Sequence, residues 1–316
     1  MFDLSNKRKH LAIWIGIGIA VVCLMMIIVM VRRDASHQNT SGETKEQNTM
    51  DNSSQFKYSY GVFLDVNPED MSRMDDYYII VIEGQDYNTQ EIQKLHDKGH
   101  LVYSYLNIGS IETWRSYYSQ FEPYQRKAYE NWEDEYWMDV SATPWKNYLV
   151  NDVARNLKQK EIDGFFVDNC DVYDQYQDTA TYDGLKTILT GFRQYKVPVI
   201  INGGDTFVTK LIQTGDIRSK AGYRDLHATY YSPFIITGVN QESVFSKIDD
   251  YKNGTFSTAS DEDREYFQKY LQTVSDAGLD VYLLEYTKDS SLVKQIRKYC
   301  EQQGYKYYIS ETVNLN

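Results

Sequence analysis

Eight short apolar or β-branched runs recur through residues 58–311. They are "YSYGVFLD" (58–65), "YYIIVIEG" (77–84), "HLVYSYLNIG" (100–109), "IDGFFVDN" (162–169), "VPVIINGG" (197–204), "ITGVNQES" (236–243), "LDVYLLEY" (279–286) and "GYKYYISE" (304–311). Several are apolar at successive positions instead of alternating, as strands covered on both faces are. Segments with helical spacing separate many of them. "NTQEIQKLHDKGH" opens on an Asn-Thr cap and stops at Gly99, and "PWKNYLVNDVARNLKQKE" places Leu149, Val150, Val153 and Leu157 at helical intervals. Strand and helix in alternation imply parallel β/α units. Eight units in about 260 residues fit a (β/α)8 TIM barrel. A doubly wound open sheet is the alternative. A Gly-x-Gly-x-x-Gly after the first strand, which would support a dinucleotide fold, is missing.

The segment before the barrel reads differently. Leu11 to Val31 is uncharged and apolar, long enough for a helix of roughly 20 residues to span a bilayer. A cleaved signal peptide is the competing reading, but the run is long and ends in "VRRDAS", a poor cleavage site. Lys7, Arg8 and Lys9 precede the run and Arg32 and Arg33 follow it, which favours a cytoplasmic N-terminus by one charge. Cys23 does not have the small preceding residue of a lipidated cysteine. Residues 34–55 are polar and aperiodic and cannot offset their ordering entropy. The expected organisation is therefore a cytoplasmic tail (1–10), a transmembrane signal-anchor (11–31), a flexible stalk (32–55) and an extracellular domain (56–316).

Charge and residue types narrow the chemistry. A formal charge of −12 argues against a nucleic-acid partner and allows a cationic ligand. Cys170 and Cys300 make neither a disulfide framework nor a Cys/His metal pattern, and no cofactor is expected. In a barrel the active site lies at the C-terminal ends of the strands. Those ends carry Asp65, Glu83, Asn107, Ser110, Glu112, Asp168, Asn169, Asp171, Asn202, Asp205, Glu242, Glu285 and Tyr286. His96, His100 and His227 lie elsewhere, and a Gly-x-Ser-x-Gly elbow is lacking, which disfavours acyl transfer. Paired carboxylates in a sugar-sized cleft suit glycoside hydrolysis. Asp168 stands out because it directly follows Phe165, Phe166 and Val167, where an unused carboxylate would suffer desolvation. Asp163 and Asp225 are expected to be structural. The stretch 110–144 is too long for a simple connection and holds Trp114, Tyr117, Trp132 and Trp137. Such loops usually serve as lids or binding loops, and this one is expected to cover the barrel top, with Trp114, Tyr117 and Trp137 as possible ligand contacts.

Taken in order, "YGVFLD", "YSYLNIGSIETWR", "WMDVSATPW", "IDGFFVDNCDVY", "INGG" and "GVNQESVF", with "LEYT" and "YYIS" in the last two strands, resemble glycoside hydrolase family 114. These are the endo-α-1,4-polygalactosaminidases and their bacterial extracellular relatives. The resemblance covers roughly 58–316. It implies a (β/α)8 barrel that hydrolyses galactosamine-containing polysaccharide without a cofactor or metal. It places the two catalytic carboxylates on Asp168, as nucleophile, and Glu242, as general acid/base, with the roles exchangeable. It also puts Asp65, Asp171 and Arg115 along the sugar site, to which the reading of the strand ends adds Asn107, Glu112, Asn169, Asn202, Glu285 and Tyr286. For Arg115, pairing with Glu112 is the alternative. Departures are Ser110 where an acid is common, and Glu285 where a shorter acid is common. Partners implied are the polysaccharide and, through the apolar run, a biofilm-facing membrane.

Overall fold

The computed structural model describes residues 52–130, 132–224 and 231–316. The apolar run 11–31, Cys23, Asp225, His227 and most of the stalk lie outside the described residues. Among the described residues no helix is long and apolar enough to cross a membrane.

Eight parallel strands form one sheet in sequential order: β1 (Tyr58–Phe63), β2 (Tyr77–Ile82), β3 (Leu101–Asn107), β4 (Gly164–Asp168), β5 (Val199–Asn202), β6 (Gly238–Glu242), β7 (Asp280–Tyr286) and β8 (Lys306–Ser310). Each falls within one of the eight apolar runs. The backbone ladder is continuous from β1 to β8. Those two edges meet through side chains, with the ring of Tyr308 of β8 tilted against Phe63 of β1 at 5.3 Å and edge-on to Tyr77 of β2 at 5.6 Å. The result is a nearly closed barrel. Strand burial explains the sequence pattern. Along β4, Phe165 packs outward on Phe192 of the helix layer at 5.3 Å, while Phe166, one step on, turns to the interior.

The helices follow local signals. Asn88 caps Thr89–Asp97 with a full capping box to Glu91, and Ile92 and Leu95 are its buried face. Helices Thr179–Phe192, Asp205–Thr214, Asp261–Asp276 and Ser290–Gln303 cover later strands. The run 143–159 is helical with a π-turn at Leu149–Val153. The alternation is incomplete. Between β1 and β2 stands only a 3-10 helix, Pro68–Met74, and among the described residues no helix follows β8.

Stretch 110–138 is not a plain lid. It builds a three-stranded antiparallel sheet of Ser110–Glu112, Gln125–Ala128 and Glu135–Met138 at the C-terminal end of β3. Trp137 is buried in it against Tyr129. Tyr117 packs on Phe121, Trp145 and Tyr148. Neither ring lines the cavity at the C-terminal mouth of the barrel, because both pack into the small core that holds this sheet on the barrel. Cys170 and Cys300 are free and buried.

Candidate active site

At the C-terminal rim, three adjacent strands end the same way. Asp168 of β4, Asn202 of β5 and Glu242 of β6 are each followed by a residue with left-handed backbone: Asn169 at φ 63°, Gly203 at φ 65° and Ser243 at φ 57°. That turn breaks the ladder and leaves the preceding side chain at the mouth of the barrel. Asn tolerates the conformation and Gly adopts it freely, whereas Ser is strained there. Gly203 has a second reason to be glycine, since a Cβ there would stand 2.9 Å from a carboxylate oxygen of Asp171.

Asn202 joins the two acids. Its Nδ2 donates to Asp168 Oδ1 at 2.9 Å and to Glu242 Oε1 at 2.7 Å. A buried relay fixes the amide's direction. Tyr60 Oη donates to Asn240 Oδ1 at 3.1 Å, and Asn240 Nδ2 donates to Asn202 Oδ1 at 2.6 Å. With its oxygen occupied from below, Asn202 can present only its NH2 group to the acids. Tyr105 donates to Asp168 Oδ2 at 2.9 Å, and Tyr286 donates to Glu242 Oε2 at 2.7 Å. Burial raises the pKa of both carboxyls. For Asp168 the donors Asn202, Tyr105 and the Asn169 backbone oppose that rise, while the charge of Glu112 adds to it. For Glu242 the donors Asn202 and Tyr286 oppose it, while the charge of Asp168 adds to it. Asp168 thus has three donors to its anion and Glu242 two.

These groups open into a cavity of about 650 Å3. Glu112, Glu133, Asp134, Glu135, Asp168, Asp171 and Glu242 line it, and no Lys, Arg or His does among the described residues. Trp114 and Trp132 stand at the rim, 62% and 45% exposed. Trp132 meets Tyr251 edge-on at 5.7 Å, which brings the 110–138 sheet to the hairpin after β6.

Of the sequence-derived set, Glu112, Asp168, Asn169, Asp171, Asn202, Glu242 and Tyr286 line this one cavity. Asp171 accepts from the Gly204 backbone at 3.0 Å, and burial followed by the charge of Asp168 raises its pKa to about 7. Four others are placed elsewhere. Asp65 is exposed and does not line the cavity, although its neighbour Leu64 does. Arg115 is buried in a salt bridge to Glu83 at 2.8 Å and to Glu112 at 2.9 Å, with its guanidinium over Trp114 at 4.0 Å. It holds Glu112 and does not face sugar. Asn107 lies beneath the cavity wall, donating to Glu135 Oε1 at 3.0 Å and accepting from Ser110 Oγ at 2.9 Å. Glu285 faces away from the pocket, since Tyr286 beside it faces in and neighbours on a strand alternate. It accepts from the backbone N–H groups of Val244, Phe245 and Ser246 and so anchors the turn after β6. Burial raises its pKa to about 7 against those donors.

Glu135 is the carboxylate that sequence reasoning missed. It accepts from Asn107, from Asn169 Nδ2 at 2.9 Å and from Ser110 Oγ. Its pKa is raised to about 7, first by burial and then, against the Ser110 bond, by the charges of Glu112 and Asp168. It lies in "NWEDEYW", where three acids stand in a row. Only its antiparallel pairing with Glu112 shows which of them turns inward. Of the residues set aside as structural, Asp163 accepts from Val102 N at 2.8 Å and meets His96 at 2.9 Å.

A parallel barrel with two linked carboxyls at the ends of β4 and β6, in an acidic cleft, has the layout of a barrel glycoside hydrolase. The profile of glycoside-hydrolase family GH114 matches residues 36–314, and the chain belongs to that family. It is a glycoside hydrolase. The glycoside hydrolase domain of PelA from Pseudomonas aeruginosa is similar in structure, with a TM-score of 0.65 at 15% identity over 81% of this chain and 95% of that one. Ega3 of Aspergillus fumigatus, solved in complex with galactosamine, gives 0.61 at 15% identity over 88% and 98%. Amy13B of Eubacterium rectale gives 0.52 at 10% identity over 83% and 68%. At these identities the likeness is one of fold. Comparison with curated proteins finds no match.

Proposed function

We propose that this chain cleaves a galactosamine-containing polysaccharide within its length, using Asp168 and Glu242 as the catalytic pair. The observation that carries the reading is a pair of carboxyls bridged by one amide, in a cavity lined by carboxylates and by no basic side chain among the described residues. Such a cavity favours sugars with free, protonated amines over acidic or neutral ones. Membership of GH114 and the fold shared with Ega3, solved with galactosamine, support the same substrate class.

The chemistry follows from the two environments. Asp168, with more donors to its anion, attacks the anomeric carbon. Glu242, whose pKa burial raises against two donors, gives its proton to the leaving oxygen. A glycosyl ester on Asp168 results. Glu242, now ionised, takes a proton from water, which displaces Asp168 and restores both groups. The oxygens bound by Asn202 stand no more than about 5.6 Å apart, its two hydrogen bonds laid end to end. That supports a retaining course, for which carboxyls about 5–5.5 Å apart are usual, over an inverting one at about 6.5–9.5 Å. The aromatic rim at Trp114 and Trp132 extends the cavity for a longer chain, as internal cleavage needs. The apolar run 11–31 supports a membrane-anchored enzyme with its catalytic domain outside the cell, acting on a surface or biofilm polymer.

The test is reducing-end release from partly deacetylated galactosamine polymer, with the anomer of the first product read by NMR. Retention, and loss of release in Asp168→Asn and Glu242→Gln, is the expected result. Unchanged release in both variants refutes the catalytic assignment. It would favour a barrel that only binds the polymer.

A further inference from the structure

Three carboxylates beside the catalytic pair take no part in the glycosyl transfer. Asp171 follows β4, Asp174 lies in the short helix after it, and Asp205 opens the helix after β5. Their carboxylate oxygens all lie within 4.8 Å of one another. Charges this close repel strongly unless a cation or proton intervenes. Among the described residues none of the three is paired with Lys or Arg. Asp171 accepts from the backbone N–H of Gly204, the residue before the helix Asp205–Thr214, and Asp174 and Asp205 stand in the first turns of their helices, where the dipole favours one anion each but does not call for three carboxylates brought together.

A second feature points into the same place. Tyr270, on the helix Asp261–Asp276, is 6% exposed and its hydroxyl has no hydrogen-bond partner. The charges acting on that hydroxyl most strongly are the carboxylates of Asp205 and Asp171. Tyr266, one turn earlier on the same helix face, donates to Asp205. A buried polar group without a partner calls for one, and this one lies one helical turn from Tyr266, whose hydroxyl reaches Asp205.

We propose that Asp171, Asp174 and Asp205 hold one hard divalent cation of calcium's class, with the Tyr270 hydroxyl facing it. Oxygen-only ligands suit such an ion, and carboxylates span it at about 2.3–2.6 Å each, so opposite oxygens stand within roughly 5 Å. No Cys or His is needed, which is why a search for metal-type Cys/His spacing passes over it. The ion ties the turn after β4 to the turn after β5, the two turns that begin at Asp168 and Asn202. It is a positioning site at the pocket edge and not a participant in glycosyl transfer.

Terbium replaces calcium at oxygen sites and emits when a nearby tyrosine absorbs. The purified full-length protein is stripped with chelator, titrated with terbium under tyrosine excitation, and then titrated with calcium. The expected result is saturable emission that calcium displaces, with terbium affinity reduced at least ten-fold in Asp174→Asn and emission reduced in Tyr266→Phe. Asp174 is exposed, so that variant keeps its fold, checked by circular dichroism. Asp205→Asn gives an independent second removal. The proposal is overturned by absence of saturable emission in the wild type. It is equally overturned by affinity unchanged in both Asp174→Asn and Asp205→Asn, or by emission that galactosamine displaces and calcium does not.

Discussion

Asn202 makes Asp168 and Glu242 titrate as a pair, because one nitrogen stabilises both anions. Asn202→Ala removes a donor from each, so both pKa values rise further. The bell of kcat/KM against pH then moves bodily to higher pH, and kcat falls by roughly 10²-fold, as for loss of one preorganised donor. A pH–rate profile of the variant checks both. Glu135 gives a stability prediction with a definite sign. Its folded pKa, about 7, lies above its ordinary value of 4.5, so the folded protein holds that proton more tightly than the unfolded chain. Its contribution is full below about pH 4.5 and is lost as pH rises towards 7. Glu135→Gln therefore melts higher than wild type at pH 7 and above, by on the order of 1–3 kcal/mol, and not at pH 4. Asp168 was legible in the sequence because three apolar residues lead straight into it. Glu242 came through the family's motif order. Glu135, Tyr60 and Asn240 were not legible, because their roles depend on contacts across 25 to 180 residues. Glu285 was misread where strand parity already separates it from Tyr286.

The 110–138 sheet supplies the site with Glu112 and Glu135 and supplies the cleft with its aromatic rim. Arg115 is its keystone. With the guanidinium removed, Glu83 and Glu112 are left as buried carboxylates without a counter-ion. Arg115→Ala should lower stability by about 3–5 kcal/mol, and Arg115→Lys should restore little, because a single ammonium cannot reproduce the fork between two acids. Urea melts measure both. Trp132, by contrast, is exposed at the cavity rim, and on the proposed function it offers its face to sugar. Trp132→Ala should raise KM for long polymer several-fold while leaving the melting midpoint within about 0.5 kcal/mol of wild type. All eight strands were visible as apolar runs. This sheet was not, because its strands are three or four residues long and its sequence mixes charge with aromatics, so neither helical nor strand period emerges.

At the scale of the whole molecule, barrel topology brings the proposed catalytic pair together, and on the proposed function charge selects what reaches it. The ends of β4, β5 and β6 adjoin, so residues 168, 202 and 242 meet despite their separation in sequence. On the proposed function the formal charge of −12 and the acidic cavity draw a polycation, so kcat/KM for deacetylated polymer should fall as salt rises, whereas that for short neutral oligomers should not. The most direct test of the account is reducing-end release from defined galactosamine oligomers by wild type, Asp168→Asn and Glu242→Gln at equal folded concentration. The account predicts cleavage of free-amine oligomers by wild type and a loss of at least about 10³-fold in each variant. Cleavage at wild-type rate by either variant, or no cleavage by wild type of any oligomer, would contradict it.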